Sequence, residues 1–281
     1  MTSPLPVPMV RLGHASEPGL LIPQLGFGLW QVPNERVDTA LGAAIETGYR
    51  HIDTAEMYGN EAAVGETLNR IGIAREDIFI TTKIWPDHFE DVTAAFDASM
   101  ERLGLDELDL YLIHWPAAAR DQYVGAWRAM LDLQQSGRIR SVGVCNFQVP
   151  HLERLQAETG MLPSVNQIEL SPYLQQEELR AFHAEHGIVT EAWSPLAVHA
   201  GLLEDPVITQ VAAKHSVTPA QVALRWQIQL GNVVLTRSVT TSRIPQNADL
   251  FDFALDADDL ASIAGLERGQ RTGPDPDVFA N

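Results

Sequence analysis

The chain is 281 residues long, 45% hydrophobic, and carries a formal net charge of −18. That length suits two average domains or one large α/β barrel, and a chain of this size can bury a substantial core. So acidic a composition argues against nucleic acid and anionic membranes as partners, because both are bound through positive surface.

No apolar run approaches the roughly 20 residues of a membrane span. Residues 1–8 have neither a basic region nor an apolar core, so no signal peptide is expected. Cys145 is the only cysteine, which leaves no internal disulfide and no Cys-rich metal site. The expected form is a cytoplasmic monomer.

Residues 8–22 read as two short strands around a polar turn at 13–19, bounded by Pro and Gly as in a hairpin. Residues 25–29 form the first strand of the main domain. Gly26 and Gly28 lack the third glycine of a dinucleotide fingerprint, so the usual mark of a doubly wound nucleotide fold is missing. From Pro33 onward a helix, a glycine and an apolar run recur. Asn34 is placed to cap the first helix, which carries Val37, Leu41, Ala44 and Ile45 at helical spacing up to Gly48. Asn60 is placed to cap the second, with Val64, Leu68 and Ile71 before Gly72. Val92, Phe96, Met100 and Leu103 lead to Gly104, and Val124, Trp127 and Leu131 lead to Gly137; shorter helices end near Gly160 and Gly187. Such glycines suit the left-handed residue that closes many helices.

Apolar, often β-branched runs follow at 49–53, 78–83, 108–114, 139–145, 165–170, 188–192 and 233–236. With 25–29 they make eight strands, and they lack the polar alternation of a half-exposed sheet. Eight alternating units in about 250 residues predict a (β/α)8 TIM barrel, one domain over residues 1–281, with an N-terminal β-hairpin. An open doubly wound sheet is the alternative, but nothing marks a split into two halves. An extra helix begins at Thr218-Pro219, before the eighth strand. Residues 243–250 read as the last barrel helix, 258–266 as an additional C-terminal helix, and 273–281 as a Pro-rich tail with no assigned role.

Barrel enzymes place their chemistry at the C-terminal ends of the strands. Those ends carry Asp53 and Tyr58 after strand two, Lys83 on strand three and His114 on strand four, so four titratable side chains converge on one sector. A tyrosine, with its pKa near 10, is a poor proton carrier at neutral pH. A buried ammonium about 4 Å away favours the phenolate by roughly 4 kcal/mol before desolvation is subtracted. Asp53 keeps Lys83 charged and oriented, while His114 can bond a substrate oxygen or relay the proton. Such a site protonates a developing alkoxide, as carbonyl reduction requires. A single Asp, Tyr, Lys or His at a strand end is usually a structural hydrogen-bonding group. Four on adjacent strands favour catalysis.

The motifs from Gly48 to Ala55 with Tyr58 to Glu61, Thr81 to Trp85, Asp109 to Pro116, Gly143 to Phe147, Asn166 to Glu169 and Trp193 to Leu196 run through nearly the whole chain. In this content and order the sequence resembles an aldo-keto reductase, and its short length and modest tail are similar to bacterial 2,5-diketo-gluconate reductase-like members. The resemblance implies a (β/α)8 barrel and NADPH/NADP+ bound without a Rossmann domain. It implies that Tyr58 is the general acid, tuned by Lys83 and Asp53, with His114 orienting the carbonyl. Asn146 and Gln167 would hold the nicotinamide carboxamide, Trp193 would stack on its ring, and Ser194 and Leu196 would contact the pyrophosphate. Cys145 stands where a serine is common beside Asn146.

At the adenosine end, relatives read Pro-Lys-Ser where this chain has Thr236-Arg237-Ser238-Val239. Arg237, Ser238 and Arg243 still supply two cations and a hydroxyl for a 2′-phosphate, and arginine contacts phosphate bidentately. Gln246 replaces a usual glutamate, with Asn247 retained for adenine. Trp30, Trp85 and Trp115 follow strand ends and suggest an aromatic substrate wall suited to aldehydes, ketones or dicarbonyls. The competing reading is a catalytically silent nicotinamide-binding regulatory subunit, disfavoured by the intact catalytic four. A metal-dependent hydrolase lacks His-x-His and a carboxylate cluster with ligand spacing, and His183 and His186 are expected on an exposed helix. A short-chain dehydrogenase would need a tyrosine followed four residues later by lysine, and none is present.

Overall fold

The computed structural model describes residues 3–14 and 19–280. An antiparallel hairpin of β1 (Met9–Arg11) and β2 (Leu21–Pro23) precedes the main domain; turn residues 15–18 lie outside the described part. Eight parallel strands then form a closed barrel: β3 (Leu25–Gly28), β4 (His51–Asp53), β5 (Phe79–Ile84), β6 (Leu108–Ile113), β7 (Ile139–Cys145), β8 (Val165–Glu169), β9 (Val189–Trp193) and β10 (Val233–Thr236). Pairing of β10 with both β9 and β3 closes the ring. The barrel predicted from the helix-glycine-strand rhythm is therefore the observed architecture.

Outside the ring run α1 (Asn34–Thr47), α2 (Glu61–Ile71), α3 (Val92–Leu103), α4 (Tyr123–Gln135), α5 (Val149–Thr159) and α6 (Glu177–His186). Two helices, α7 (Pro206–His215) and α8 (Pro219–Gln229), separate β9 from β10, and α9 (Arg243–Ala248) and α10 (Ala257–Ala264) follow. Among the described residues no helix is long and apolar enough to cross a membrane.

Two expected caps fail, each for a tertiary reason. Pro33, not Asn34, precedes α1, and the Asn34 amide donates to the Gly59 carbonyl at 3.2 Å. Asn60 stands at the start of α2, but its side chain accepts from Thr54 Oγ1 at 2.8 Å and donates to the carbonyls of Leu29 and Val32. Three buried bonds outweigh the single one a cap would make. Asp91 does cap α3, accepting from Ala94 N at 3.0 Å, a contact worth about 1 kcal/mol. Thr218 caps α8 as expected, in a reciprocal box with Gln221.

The expected exposure of His183 is also wrong. Its ring faces inward from α6, bonded to Asn166 at 3.0 Å and Thr190 Oγ1 at 2.8 Å, and burial lowers its pKa to about 3. His186 is half-buried and stacks on Phe182.

The main core lies between strands and helices, where Phe27, Phe96, Trp127 and Phe147 are fully buried. Each such side chain contributes about 1.5–3 kcal/mol by leaving water. Within the barrel, Phe79, Leu110, Leu112, Cys145, Val165, Val189 and Val233 form a second layer, closed from below by Leu12, Leu20 and Ile22 of the hairpin region. The interior is thus apolar at its lower end and polar at its upper end.

Candidate active site at the upper mouth of the barrel

Strands β4, β5 and β6 are hydrogen-bonded neighbours, so Asp53, Lys83 and His114 emerge side by side. Lys83 is fully buried, and its Nζ donates to Asp53 Oδ1 at 2.6 Å, Asp53 Oδ2 at 2.7 Å, the Thr54 carbonyl at 2.8 Å and Tyr58 Oη at 3.3 Å. Tyr58 reaches this point from a single helical turn, Glu56–Tyr58, directly after β4. The turn is held by the Tyr58 N–H donating to the Ala55 carbonyl.

Burial works against the Lys83 ammonium, yet Asp53 and Tyr58 outweigh it and hold its pKa above the lysine range. Burial likewise pushes the Tyr58 phenol up, and the opposing pull of Lys83 does not cancel it. The balance expected from charge alone is therefore reversed in the protein by itself. Tyr58 keeps its proton at neutral pH, with a fixed cation beside the oxygen to receive the charge when that proton leaves.

His114 is kept neutral, its pKa pulled well below the usual value first by burial and then by Lys83. Its Nδ1 is buried without a partner among the described residues, which leaves Nε2 as the nitrogen available for hydrogen bonding. The ring packs edge-on against Tyr58 at 5.6 Å and Trp85 at 5.2 Å. Trp30, partly exposed, lies 5.0 Å from the Tyr58 ring, and Trp115 is buried in the wall. Trp85 is fixed through its backbone N–H, which donates to the Glu56 carboxylate.

Next around the ring, Asn146 adopts a left-handed backbone (φ 64°) directly after β7. Its amide donates to the His114 carbonyl at 3.1 Å, and its carbonyl accepts from Trp193 Nε1 at 2.9 Å. Both amide hydrogens of Gln167 are already committed, to Asp53 Oδ2 at 2.9 Å and Glu191 Oε2 at 2.7 Å. Only its carbonyl oxygen remains for a ligand. Cys145 faces the interior, and burial pushes its thiol far up, so it is an uncharged packing group. Ser194 is exposed and Leu196 half-buried on the loop after β9.

Beyond β10, Arg237 and Arg243 are exposed, and neither has a carboxylate partner among the described residues. Arg237 donates to Gln31 Oε1 at 3.0 Å. Ser238 shapes the turn through the Thr240 backbone, and Val239 accepts from Arg36. Gln246 is exposed and Asn247 buried on α9.

Residues 24–268 match the model of the aldo/keto reductase family. The chain belongs to the aldo/keto reductase family. It is 54% identical over 263 residues to an aldo-keto reductase of Mycolicibacterium smegmatis, covering 93% of this chain and 95% of that one. It is 51% identical over 262 residues to methylglyoxal reductase DkgA of Escherichia coli K12, with the same coverage of 93% and 95%. Among solved structures, an aldo/keto reductase from Brucella melitensis superposes with a TM-score of 0.87 at 49% identity, covering 92% of this chain and 99% of that one. A variant of Gox0644 in complex with NADPH gives 0.91 at 42% identity, covering 98% and 99%.

Several residues of this aldo-keto reductase site were not singled out in the sequence. Phe279 of the tail packs against Trp115 at 4.5 Å and Trp85 at 6.2 Å, so the Pro-rich segment completes the aromatic wall. The tail is anchored by buried Glu169, whose Oε1 accepts from Thr272 N at 2.5 Å and Thr272 Oγ1 at 2.6 Å. Gly273 lies so close to the Trp193 ring that a Cβ there would stand 2.4 Å from Cη2. The only sequence signal for Phe279 is one aromatic in an otherwise polar tail. Glu191 had a clearer signal: a carboxylate at the centre of a strand that must be buried on both faces.

Proposed function

We propose that this aldo-keto reductase reduces aldehydes, ketones or dicarbonyls to alcohols with NADPH, with Tyr58 as the general acid. The observation that carries the reading is the Lys83 ammonium, held by both oxygens of Asp53 and touching the Tyr58 hydroxyl. A protonated phenol beside a fixed cation can release its proton to a carbonyl oxygen as negative charge develops there. Neutral His114 donates from Nε2 to the same oxygen and so orients the carbonyl. Asp53 prevents Lys83 from losing its own proton in a buried setting.

The residues present fit NADPH. The Trp193 ring is half-exposed, and its indole N–H is fixed by Asn146, a suitable platform for a flat ring. Asn146 and the free carbonyl of Gln167 would meet the nicotinamide carboxamide, with Cys145 next to Asn146 in the barrel wall. Ser194 and Leu196 would border the pyrophosphate. Arg237, Ser238, Val239 and Arg243 would meet the 2′-phosphate, and Gln246 and Asn247 the adenine. When bound, NADPH supplies the hydride that the protein itself lacks.

Trp30, Trp85, Trp115 and Phe279 frame the mouth with apolar surface, which favours small uncharged carbonyl compounds over highly charged ones. Methylglyoxal is a natural first substrate to assay, given the names of the relatives. Purified protein should oxidise NADPH with methylglyoxal and with simple aldehydes and diketones, followed by absorbance. Tight NADPH binding without turnover across the panel would reject the reading in favour of a silent binding subunit.

A further inference from the structure

Glu191 stands at the middle of β9 with its side chain inside the barrel, fully buried. Its Oε2 accepts one bond from Gln167 at 2.7 Å. Among the described residues its Oε1 has no hydrogen-bond partner, and it faces His51 Nε2 at 3.6 Å. The titratable and charged groups around it are His51 and Asp53 from β4, Lys83 from β5 and Cys145 from β7. Gln167 comes from β8, and the inward residues Gly26 of β3, Leu112 of β6 and Leu235 of β10 carry no charge. Gly26 is what makes room for His51, since a Cβ there would lie 2.6 Å from its Nδ1.

The same amide nitrogen of Gln167 bridges two carboxyl groups, Asp53 and Glu191, while Lys83 is the single cation in the interior among the described residues. If both carboxyls were ionised, the sealed interior would carry an uncompensated negative charge. The donors are distributed unevenly. Asp53 receives two contacts from Lys83 and one from Gln167, whereas Glu191 receives one and keeps a bare oxygen. A shared proton therefore belongs on Glu191.

We infer that Glu191, backed by His51, stores a proton at neutral pH and acts as a positioning residue for the Asp53–Lys83–Tyr58 chain, its ionisation setting the alkaline limit for Tyr58. This rests on the reading of Tyr58 as the acid. The electrostatics point the same way. Burial raises the Glu191 carboxyl to about 8, Asp53 adds to the rise, and Gln167 and Lys83 only partly offset it. Burial lowers His51 to about 3, partly offset by the backbone of Pro23, so its ring is neutral. As pH rises through about 8, Glu191 sheds its proton and places a new negative charge beneath Asp53. That charge holds the Lys83 proton more tightly and opposes formation of the Tyr58 phenolate, the base needed to oxidise an alcohol in the reverse reaction.

Infrared difference spectroscopy of the wild-type protein against pH reads the proton directly. A protonated-carboxyl C=O band should disappear with a midpoint near 8, persist in Tyr58→Phe, and be missing in Glu191→Gln. Tyrosinate absorbance, assigned to Tyr58 by its loss in Tyr58→Phe, should titrate about one pH unit lower in Glu191→Gln than in wild type. The rise of NADP+-dependent alcohol oxidation with pH, which follows the Tyr58 phenolate, should move down by the same amount. Absence of a titrating carboxyl band in wild type between about pH 6 and 10, or an unmoved Tyr58 titration in Glu191→Gln, overturns the inference. These two spectra need no turnover. A silent enzyme with the expected spectra would therefore reject the reductase reading alone, and an active one without them would reject this inference alone.

Discussion

Lys83 and Asp53 are sealed within the barrel and bonded to each other, to the backbone and to Tyr58, whereas Arg237 and Arg243 stand in solvent, Arg237 donating only to Gln31 among the described residues. The first pair is held whether or not a ligand is present, and its charges cost desolvation that only close pairing offsets. The second is screened by water and salt and, on the proposed function, is worth most when the cofactor phosphate arrives. Under the proposed function, one end of the site does chemistry and the other reads charge. Substitution of the buried end should alter rate and stability together. Substitution at the exposed end should alter cofactor choice and little else.

The sharpest break in this contrast is Tyr58→Phe. Turnover should fall by about 10⁴-fold, the upper range for a general acid, while NADPH binding measured by fluorescence titration stays within about threefold. Near-normal turnover would remove Tyr58 from its role. Lys83→Met leaves Asp53 buried without its cation. Urea denaturation should show a loss of roughly 3–5 kcal/mol, and an unchanged midpoint would mean the pair is not a buried ion pair in solution.

The interior also carries a pH dependence that the exposed end lacks. His51 and His183 are held to about 3 when folded, so the unfolded chain binds protons that the native state refuses. Their contribution is complete above the ordinary histidine value of about 6.5 and is lost as pH falls towards 3, at up to about 1.4 kcal/mol per pH unit for each group. Denaturation midpoints measured from pH 7 to 4 should therefore decline, and His183→Asn should flatten the slope. The smallest effect is expected at the exposed end. Arg237→Gly combined with Arg243→His should lower the NADPH/NADH ratio of kcat/KM by about tenfold, with the melting temperature within a few degrees. An unchanged ratio would reject the phosphate assignment.

The barrel was legible because its signals are local and repeated: Gly48, Gly72 and Gly104 each close a helix before an apolar run. The cluster of Asp53, Tyr58, Lys83 and His114 was legible because strand ends converge in a closed barrel. Asn34 and Asn60 misled because a capping residue type says nothing about whether a tertiary partner competes for its side chain. His183 misled because a polar side chain on a helix looks solvent-facing unless Asn166 and Thr190, distant in sequence, are known to meet it. The sign of the Tyr58 shift depended on how fully the site excludes water, which spacing does not encode. Phe279 reaches the mouth only because Glu169 captures Thr272, a contact between segments a hundred residues apart.

With Leu12, Leu20 and Ile22 stoppering the lower end, the barrel is a cup with a single mouth. A proton exchanging at Lys83 from the upper mouth passes Tyr58, whose hydroxyl Lys83 touches. Traffic through such a vessel is a stack, not a flow: whatever is seated deepest is the last to leave, and isotope exchange at the inner protons waits on the occupant above.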